Sequence, residues 1–291
     1  MSDAFLEHRD HLFGVAYRML GQRADAEDAV QEAWLRYRGA DTAGVTDLRA
    51  WLTTVVGRLC LDQLRSARAR RESYVGPWLP EPLVERLPDA EPEPGEAVAF
   101  ADSVSFALLL VLDALGPEQR LAFVLHDVFG VPFAEVASTL GTTAENARQL
   151  ASRARRAVQA GQRRHTTDRS RQAEVIAAFT AAARDGDLET LAKVLAPDVV
   201  ALGDGGGLVS ATRRPVVGAD AVARFVVGLY QRAEREGRTL EPVLVNGDLG
   251  ILVRTLGVAV LSISPEGLIT GLYNQLNPEK LGDLVQGLFH D

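Results

Sequence analysis

The sequence predicts two all-helical domains, the second a helix-turn-helix, followed by an α+β domain. Residues 3–72 and 117–158 repeat apolar side chains at helical spacing. A segment rich in proline and acidic residues, 73–97, separates these two parts and predicts extended, poorly packed backbone. Its residues Trp78, Leu79, Leu83, Val84 and Leu87 are nevertheless too apolar for a spacer alone. After residue 171, amphipathic helices precede a series of short apolar runs with turn residues between them, which is typical of α+β architecture.

Three helices are expected in the first domain, over Phe5–Leu20, Asp25–Tyr37 and Asp47–Arg71, with Gly21 ending the first. The outer face of the second helix is acidic, and the far end of the third helix is basic. Acids on a helix face are usually just solvated, and arginines suit the negative end of a helix dipole. These two charged surfaces therefore do not assign a partner by themselves.

The helix-turn-helix is predicted from its start and stop signals. Pro117 opens the first helix, Phe133–Leu140 forms a short second helix, and Gly141 ends it. Thr142 is expected to cap the third helix, with Glu145 three residues later completing a capping box. Residues 98–116 are expected to form a further helix that packs against this domain.

The outward face of the third helix has the composition of a nucleic-acid interface. Polar side chains on this face can bond to base edges and phosphates. Between residues 148 and 171 there are eight arginines and one acid, Asp168, which is the electrostatic pattern of phosphate binding. A solvated amphipathic helix pair is the alternative interpretation of the same stretch.

Composition limits the class of protein. With 291 residues, two or three domains are expected, and the net charge of −8 argues against a protein that simply coats DNA. Cys60 is the single cysteine, and no apolar run reaches the ~20 residues that span a bilayer. We therefore expect a cytoplasmic protein without a membrane segment, signal peptide, metal site or cofactor, which binds a protein partner as well as DNA.

Three stretches carry a family resemblance. Residues 16–37, AYRMLGQRADAEDAVQEAWLRY, resemble the polymerase-binding region of a bacterial sigma factor, and 47–72 resemble the helix that binds the minus-ten element. The helix-turn-helix at 117–158 resembles the minus-thirty-five reader. The resemblance implies a sigma factor of the extracytoplasmic-function type, with core RNA polymerase and promoter DNA as partners.

The resemblance also implies residue roles. Polymerase contacts are expected from four residues of the acidic helix: Asp25, Asp28, Gln31 and Glu32. Phosphate contacts near the minus-ten element are expected from Arg58, Arg65 and Arg68, with Trp51 assigned to the core. Contacts to the minus-thirty-five element are expected from Thr143, Glu145, Asn146, Arg148, Gln149 and Arg153. The expected domains are 1–72, the linker 73–97, 98–166 and a last domain at 170–291.

The linker and the last domain resemble one sigma subgroup, the SigJ-type, which carries an extra C-terminal domain of the SnoaL-like, cone-shaped fold. WLPEPLVE at 78–85 resembles its linker signature. Two loop signatures also match, namely DGGG at Asp204, Gly205, Gly206 and Gly207, and NPEKL at Asn277, Pro278, Glu279, Lys280 and Leu281. Leu208 stands where the subgroup usually has lysine. The resemblance implies that both loops touch the sigma domains or the linker.

From these features we expect the last domain to regulate the two sigma domains of its own chain. A short apolar stretch that follows NPEKL could dock on a neighbouring surface; it contains Leu284, Val285, Leu288 and Phe289. Two alternatives remain open. Cone-shaped folds enclose a pocket, so the domain could sense a small ligand, or it could be an enzyme with Asp204 as its candidate base. No catalytic residue is assigned.

Overall fold

The structure, a computed structural model, describes five stretches of chain: residues 3–42, 44–71, 74–87, 104–162 and 168–282. The chain divides into two compact units. A helical unit comprises Met1–Ser73 and Leu109–Gln159, and a sheet unit comprises Tyr74–Leu108 and Ala160–Asp291. The predicted fold class, two helical domains followed by an α+β domain, is confirmed. None of the described helices combines the length and the apolar character needed to cross a membrane.

The helices up to residue 162 lie mainly in the helical unit and bury apolar residues there. Their bounds are Asp3–Leu6, Arg9–Leu20, Arg23–Gly39, Leu48–Arg71, Phe106–Asp113, Pro117–Ala122, Phe133–Leu140 and Ala144–Gln162, with a π-helical turn at Phe123–Val128. Gly21 and Gly141 end their helices in the left-handed conformation, as predicted. Leu12, Leu52 and Leu121 are fully buried in this unit.

Three predictions about the helices are wrong in detail. The predicted helix Phe5–Leu20 is broken between Leu6 and Arg9. Helix Phe106–Asp113 is much shorter than the helix predicted at 98–116, of which residues 98–103 lie outside the described part. The cap of helix Ala144–Gln162 is Thr143 rather than Thr142, because the Asn146 amide N–H donates to Thr143 Oγ1 at 3.2 Å. Thr142 Oγ1 accepts from the Asn146 side chain instead.

The described residues of the sheet unit form seven strands: β1 (Val84–Arg86), β2 (Leu195–Asp204), β3 (Val216–Val217), β4 (Leu240–Val245), β5 (Asp248–Val253), β6 (Gly257–Ile263) and β7 (Ile269–Gln275). Their order in the sheet is β1-β4-β5-β6-β7-β2-β3. Strands β2 and β7 are parallel, and all other neighbours are antiparallel. The helices of this unit are Arg169–Asp185, Leu188–Val194, Ala219–Arg235 and Pro278–Leu281.

One face of the sheet packs on the two long helices of the unit. Phe179 and Val226 from these helices join Leu261 and Leu272 from the strands in a single buried cluster. Asn246 and Gly247 form a two-residue hairpin turn between β4 and β5, because both residues have positive φ and Val245 pairs with Asp248 across the turn.

The described part of the linker, residues 74–87, is more closely packed than its prolines and acids predict. Residues 74–86, which we call the linker segment, lie against the sheet unit, and β1 pairs with β4 with Val84 opposite Val245. Leu79, Pro80 and Pro82 are buried. The apolar residues of the segment, rather than its prolines and acids, decide its environment. Residues 88–103 lie outside the described part.

Candidate functional site

The acidic helix Arg23–Gly39 is oriented by an alanine-rich stripe. Ala26, Ala29, Val30 and Ala33 are buried, which turns the opposite side of the helix outward. Three of the residues predicted to bind polymerase are exposed: Asp28, Gln31 and Glu32. Asp25 is half-buried and accepts a hydrogen bond from the side chain of Gln22 at 2.9 Å. The exposed acids therefore form a surface on the helix, and Asp25 also stabilises its first turn.

Two of the predicted minus-ten arginines contact the helix-turn-helix within the helical unit. The Arg58 guanidinium donates to the carbonyl oxygen of Ser138 at 3.2 Å, and Arg65 forms an ion pair with Glu118 at 3.0 Å. All four of these residues are exposed or half-buried, so both contacts are accessible to competing phosphates. The side chain of Arg68, the third predicted arginine, lies outside the described part.

The recognition helix, Ala144–Gln162, turns its small residues inward. Ala147, Ala151, Ala154 and Val158 are buried against the rest of the helical unit. All six predicted minus-thirty-five residues are exposed: Thr143, Glu145, Asn146, Arg148, Gln149 and Arg153. Arg148 lies 3.6 Å from Glu145 in an exposed ion pair, and its guanidinium lies over the Phe133 ring. The predicted face of the helix is therefore a single polar, accessible surface.

A buried ion pair joins the two loops with SigJ-type signatures. Lys280 Nζ lies 2.7 Å from Asp204 Oδ2 and donates a second hydrogen bond to the carbonyl oxygen of Leu79 at 2.7 Å. It also lies 4.1 Å from the centre of the Trp78 ring, close enough for a cation–π interaction. Desolvating a charge is costly, so this set of contacts is needed to keep the ammonium inside the protein.

Asp204 also accepts hydrogen bonds from the linker segment itself. The Leu79 amide N–H donates to Asp204 Oδ2 at 2.9 Å, and the Tyr74 hydroxyl donates to Asp204 Oδ1 at 2.5 Å. Burial, followed by the hydrogen bond to Asp204, raises the pKa of Tyr74 well above its ordinary value, so its hydroxyl remains a donor at neutral pH. Asn277 donates its side-chain amide to the same hydroxyl at 3.0 Å.

Gln275, the last residue of β7, completes this site. Its side-chain amide donates to the carbonyl oxygen of Pro80 at 3.1 Å and to that of Leu79 at 3.3 Å. We call the set Tyr74, Leu79, Asp204, Gln275 and Lys280 the linker clamp. Sequence reasoning missed Tyr74 and Gln275, and the polar residues Thr270 and Asn274 in the same strand mean that Gln275 does not stand out from its neighbours.

The glycines of the DGGG loop are explained by close approaches. A Cβ on Gly205 would lie 2.1 Å from the carbonyl oxygen of Val209, and one on Gly206 would lie 2.5 Å from the Asn277 side chain. Gly206 and Gly207 also have positive φ. A Cβ on Gly207 would lie 3.2 Å from Val75 of the linker segment. Any larger residue at these positions would therefore push the loop away from Asn277 or from the linker segment.

The remaining predicted regulatory residues differ in their exposure to solvent. Leu281 is buried, whereas Pro278 and Glu279 are exposed. Leu208 is 62% exposed and does not contribute a contact to the linker clamp. The apolar stretch Leu284, Val285, Leu288 and Phe289 lies outside the described residues. Among the residues that the structure describes, no cluster of histidine, cysteine or acidic side chains is placed to hold a metal ion.

Comparison with known proteins agrees with this organisation. The family model of sigma-70 region 2 matches residues 4–70, and that of sigma-70 region 4 matches residues 105–158. The ECF RNA polymerase sigma factor SigJ of Mycobacterium tuberculosis is 47% identical over 287 residues, which cover 94% of this chain and 90% of that protein. The probable ECF RNA polymerase sigma factor SigI of the same species is 35% identical, with coverage of 98% and 96%.

The similarity extends to three dimensions. The crystal structure of the Mycobacterium tuberculosis extracytoplasmic function sigma factor SigJ superposes with a TM-score of 0.77 at 44% identity. The superposition covers 96% of this chain and 97% of that one, so it includes the sheet unit as well as the helical parts. The chain belongs to the ECF RNA polymerase sigma factors and is an alternative sigma factor that directs transcription initiation.

Proposed function

We propose that the C-terminal domain restrains the sigma activity of its own chain by holding the linker segment in the linker clamp. The observation that carries this proposal is the placement of Lys280, which bonds at once to Asp204 of the DGGG loop and to Leu79 of the linker segment. Each signature loop thus supplies a polar side chain that bonds to Leu79 of the linker segment, Asp204 from the DGGG loop and Lys280 from the NPEKL loop. A domain that served only as an appendage would not need a buried charge pair at this place.

Holding the linker segment affects activity because the linker of a sigma factor enters the polymerase. In the family that this chain resembles, the linker runs into the active-site and RNA-exit channels of the polymerase. Residues 79, 80 and 82 are buried in the sheet unit and are therefore unavailable to the polymerase while the clamp is closed. We infer that the clamp must open for full activity, so anything that weakens it shifts the population toward the active arrangement.

The partners that we propose follow from the exposed surfaces. Asp28, Gln31 and Glu32 bind core RNA polymerase, with Asp25 supporting their helix, and the recognition helix binds promoter DNA in the major groove. Arg58 and Arg65 exchange Ser138 and Glu118 for DNA phosphates, and Arg68 joins them in the minus-ten contacts. Core polymerase and promoter DNA would place the protein in the cytoplasm.

An enzymatic role for Asp204 has less support. A general base needs a free carboxylate oxygen that faces the substrate. Both oxygens of Asp204 accept hydrogen bonds, from Tyr74 and the Gly206 amide on one side and from Leu79 and Lys280 on the other. These bonds favour a role in positioning the linker segment over a role in proton abstraction.

Truncation tests the proposal. The experiment is promoter-specific transcription in vitro, with core polymerase and a pool of genomic fragments, at equal amounts of each protein. A chain ending at Leu276 loses Lys280 and should transcribe several-fold more than the full chain. A chain ending before Arg171 also loses Asp204 and β4, so its activity should change by a different factor. The proposal is wrong if both shortened chains transcribe like the full chain.

A further inference from the structure

The sheet unit encloses a cavity that the linker clamp does not use. Its volume is about 430 Å³, within the range of pockets that hold small molecules in proteins. The walls come from helix Ala219–Arg235 on one side and from the sheet on the other. Phe179, Phe225, Tyr230 and Leu272 contribute to a mainly apolar lining. Such a lining favours a molecule with an apolar body.

One end of the cavity carries polar groups beside Gly203. The Thr212 hydroxyl lies in the cavity wall, is shielded from solvent, and has no hydrogen-bond partner among the described residues. Asn274 lines the same end, since it pairs with Gly203 across β2 and β7. A buried hydroxyl without a partner is destabilising, so it is usually retained where a ligand or water completes its bonding. This end therefore suits one hydrogen-bonding group on the ligand.

The charged residues in the lining, Arg232, Glu236 and Arg238, are paired with one another and together carry a net charge of +1. Glu236 forms ion pairs with Arg232 at 2.7 Å and with Arg238 at 2.6 Å. The hydrogen bonds from these two arginines lower the pKa of Glu236, so the carboxylate stays ionised at neutral pH. Arg238 also donates to the Thr255 hydroxyl at 2.6 Å. Because both arginines already bond to Glu236 and the rest of the lining is mainly apolar, the cavity favours an uncharged ligand.

Two strands connect the cavity to the linker clamp. Gly203 lines the cavity, and its neighbour in β2, Asp204, belongs to the clamp. In the same way Asn274 lines the cavity, and its neighbour in β7, Gln275, belongs to the clamp. Successive residues of a strand point to opposite faces of the sheet, so one backbone layer separates the two sites. Both sites need β2 and β7 in the same position.

We propose that this cavity binds a small, uncharged, mainly apolar molecule with one hydrogen-bonding group, and that its occupation strengthens the hold of the linker clamp on residues 74–86. A ligand that binds only when β2 and β7 are in their native positions stabilises that arrangement, and the clamp is stabilised with it. The regulatory meaning of the site rests on the proposed restraint of the linker, whereas ligand binding and its effect on the clamp do not.

The binding test uses the full-length protein and the neutral fluorescent probe N-phenyl-1-naphthylamine, which has an apolar body and one N–H donor. We expect saturable binding with a Kd on the order of 10 µM. Ala259 lies in the cavity wall, and Ala259→Leu should weaken binding at least about tenfold by filling space. Thr212→Val, which keeps the size of the side chain, should weaken it several-fold by removing the acceptor.

The control is Thr239→Val, an exposed threonine of the same unit that does not line the cavity. It should leave the Kd unchanged. Absence of saturable binding to the wild-type chain would overturn the proposal. Equal binding by the wild-type chain, Ala259→Leu and Thr212→Val would overturn it too, since the probe would then bind elsewhere. Thr212→Val keeps the test valid if the larger substitution, Ala259→Leu, prevents folding.

The effect of the ligand on the clamp can be measured from the rate at which each lysine is labelled. The sequence has two, Lys193 and Lys280; the side chain of Lys193 is 68% exposed and that of Lys280 is 3% exposed. An amine-reactive reagent should therefore label Lys193 rapidly, and Lys280 only when the clamp opens. Saturating probe should slow the labelling of Lys280 several-fold and leave that of Lys193 unchanged, as measured by mass spectrometry.

Binding of the probe without any change in Lys280 labelling would overturn the link between cavity and clamp. Faster labelling of Lys280 in the presence of the probe would show that the ligand opens the clamp, which is the opposite of the proposed effect. These measurements contain neither polymerase nor DNA, so their failure leaves the transcription test of the linker restraint intact. Failure of the transcription test would in turn leave the binding measurements standing.

Discussion

Lys280 Nζ lies 2.7 Å from Asp204 Oδ2, and the side chains of the two residues are 3% and 0% exposed. Such a pair adds little net stability over apolar residues of the same size, because both charges have lost their hydration. The pair is specific for one arrangement, however, because each buried charge is tolerated only while the other is next to it. The pair therefore holds residues 204 and 280 in one arrangement, and the carbonyl oxygen of Leu79 is bound in the same arrangement.

Removing one member of this pair should destabilise the sheet unit. Lys280→Met leaves the Asp204 carboxylate buried without its counter-charge, and we expect a loss of about 3 kcal/mol in the free energy of unfolding. The double variant Asp204→Asn with Lys280→Met should recover part of this loss. Urea unfolding checks both values. Lys193→Met, at the exposed lysine, serves as the control, and equal stabilities for Lys193→Met and Lys280→Met would contradict the pairing.

The DGGG loop should tolerate no side chain at its second position. A Cβ at residue 205 would meet the carbonyl oxygen of Val209 at 2.1 Å, so Gly205→Ala should cost about 2 kcal/mol or more of unfolding free energy. Gly228 lies in helix Ala219–Arg235 with open space around it. Gly228→Ala should instead stabilise by about 0.5–1 kcal/mol. Thermal unfolding of the two variants distinguishes these outcomes by sign.

Arg153 of the recognition helix should contribute one phosphate contact. Arg153→Ala is expected to weaken promoter binding across sequences and to reduce the slope of log K against log salt by about 1. The measurement is holoenzyme binding to promoter DNA at several salt concentrations. Arg235→Ala removes an exposed arginine of the sheet unit and should leave the slope unchanged. Identical slopes for wild type and Arg153→Ala would remove Arg153 from the interface.

Asp28 and Glu32 should face core polymerase, because they lie four residues apart on one exposed helix face. Replacing both with lysine reverses the charge of that face and should abolish co-purification with core polymerase. Circular dichroism should show the helical content unchanged. A matched reversal of Glu189 and Glu234, two exposed acids of the sheet unit, should leave binding intact. Retained binding by the first variant would assign the polymerase contact elsewhere.

Local rules predicted most of the elements, and long-range contacts set the rest. Glycines at helix ends and alternating apolar runs placed the helix-turn-helix and the β4–β5 hairpin. The hydrogen bond between Tyr74 and Asp204 could not be predicted from the sequence around either residue, because 130 residues separate the two. The strand at Val84–Arg86 likewise forms only by pairing with β4 at the edge of the sheet. The cap at Thr143 instead of Thr142 shows how two adjacent threonines offer equal local signals.

The restraint of the linker segment by Lys280 is tested most directly by single-round transcription in vitro with core polymerase. The proteins to compare are the wild-type chain, Lys280→Met and Lys193→Met, at equal concentration and with saturating core polymerase. We predict that Lys280→Met transcribes several-fold more than the other two, because its linker segment is released from the sheet unit. Equal or lower transcription by Lys280→Met would contradict the restraint of the linker by the C-terminal domain.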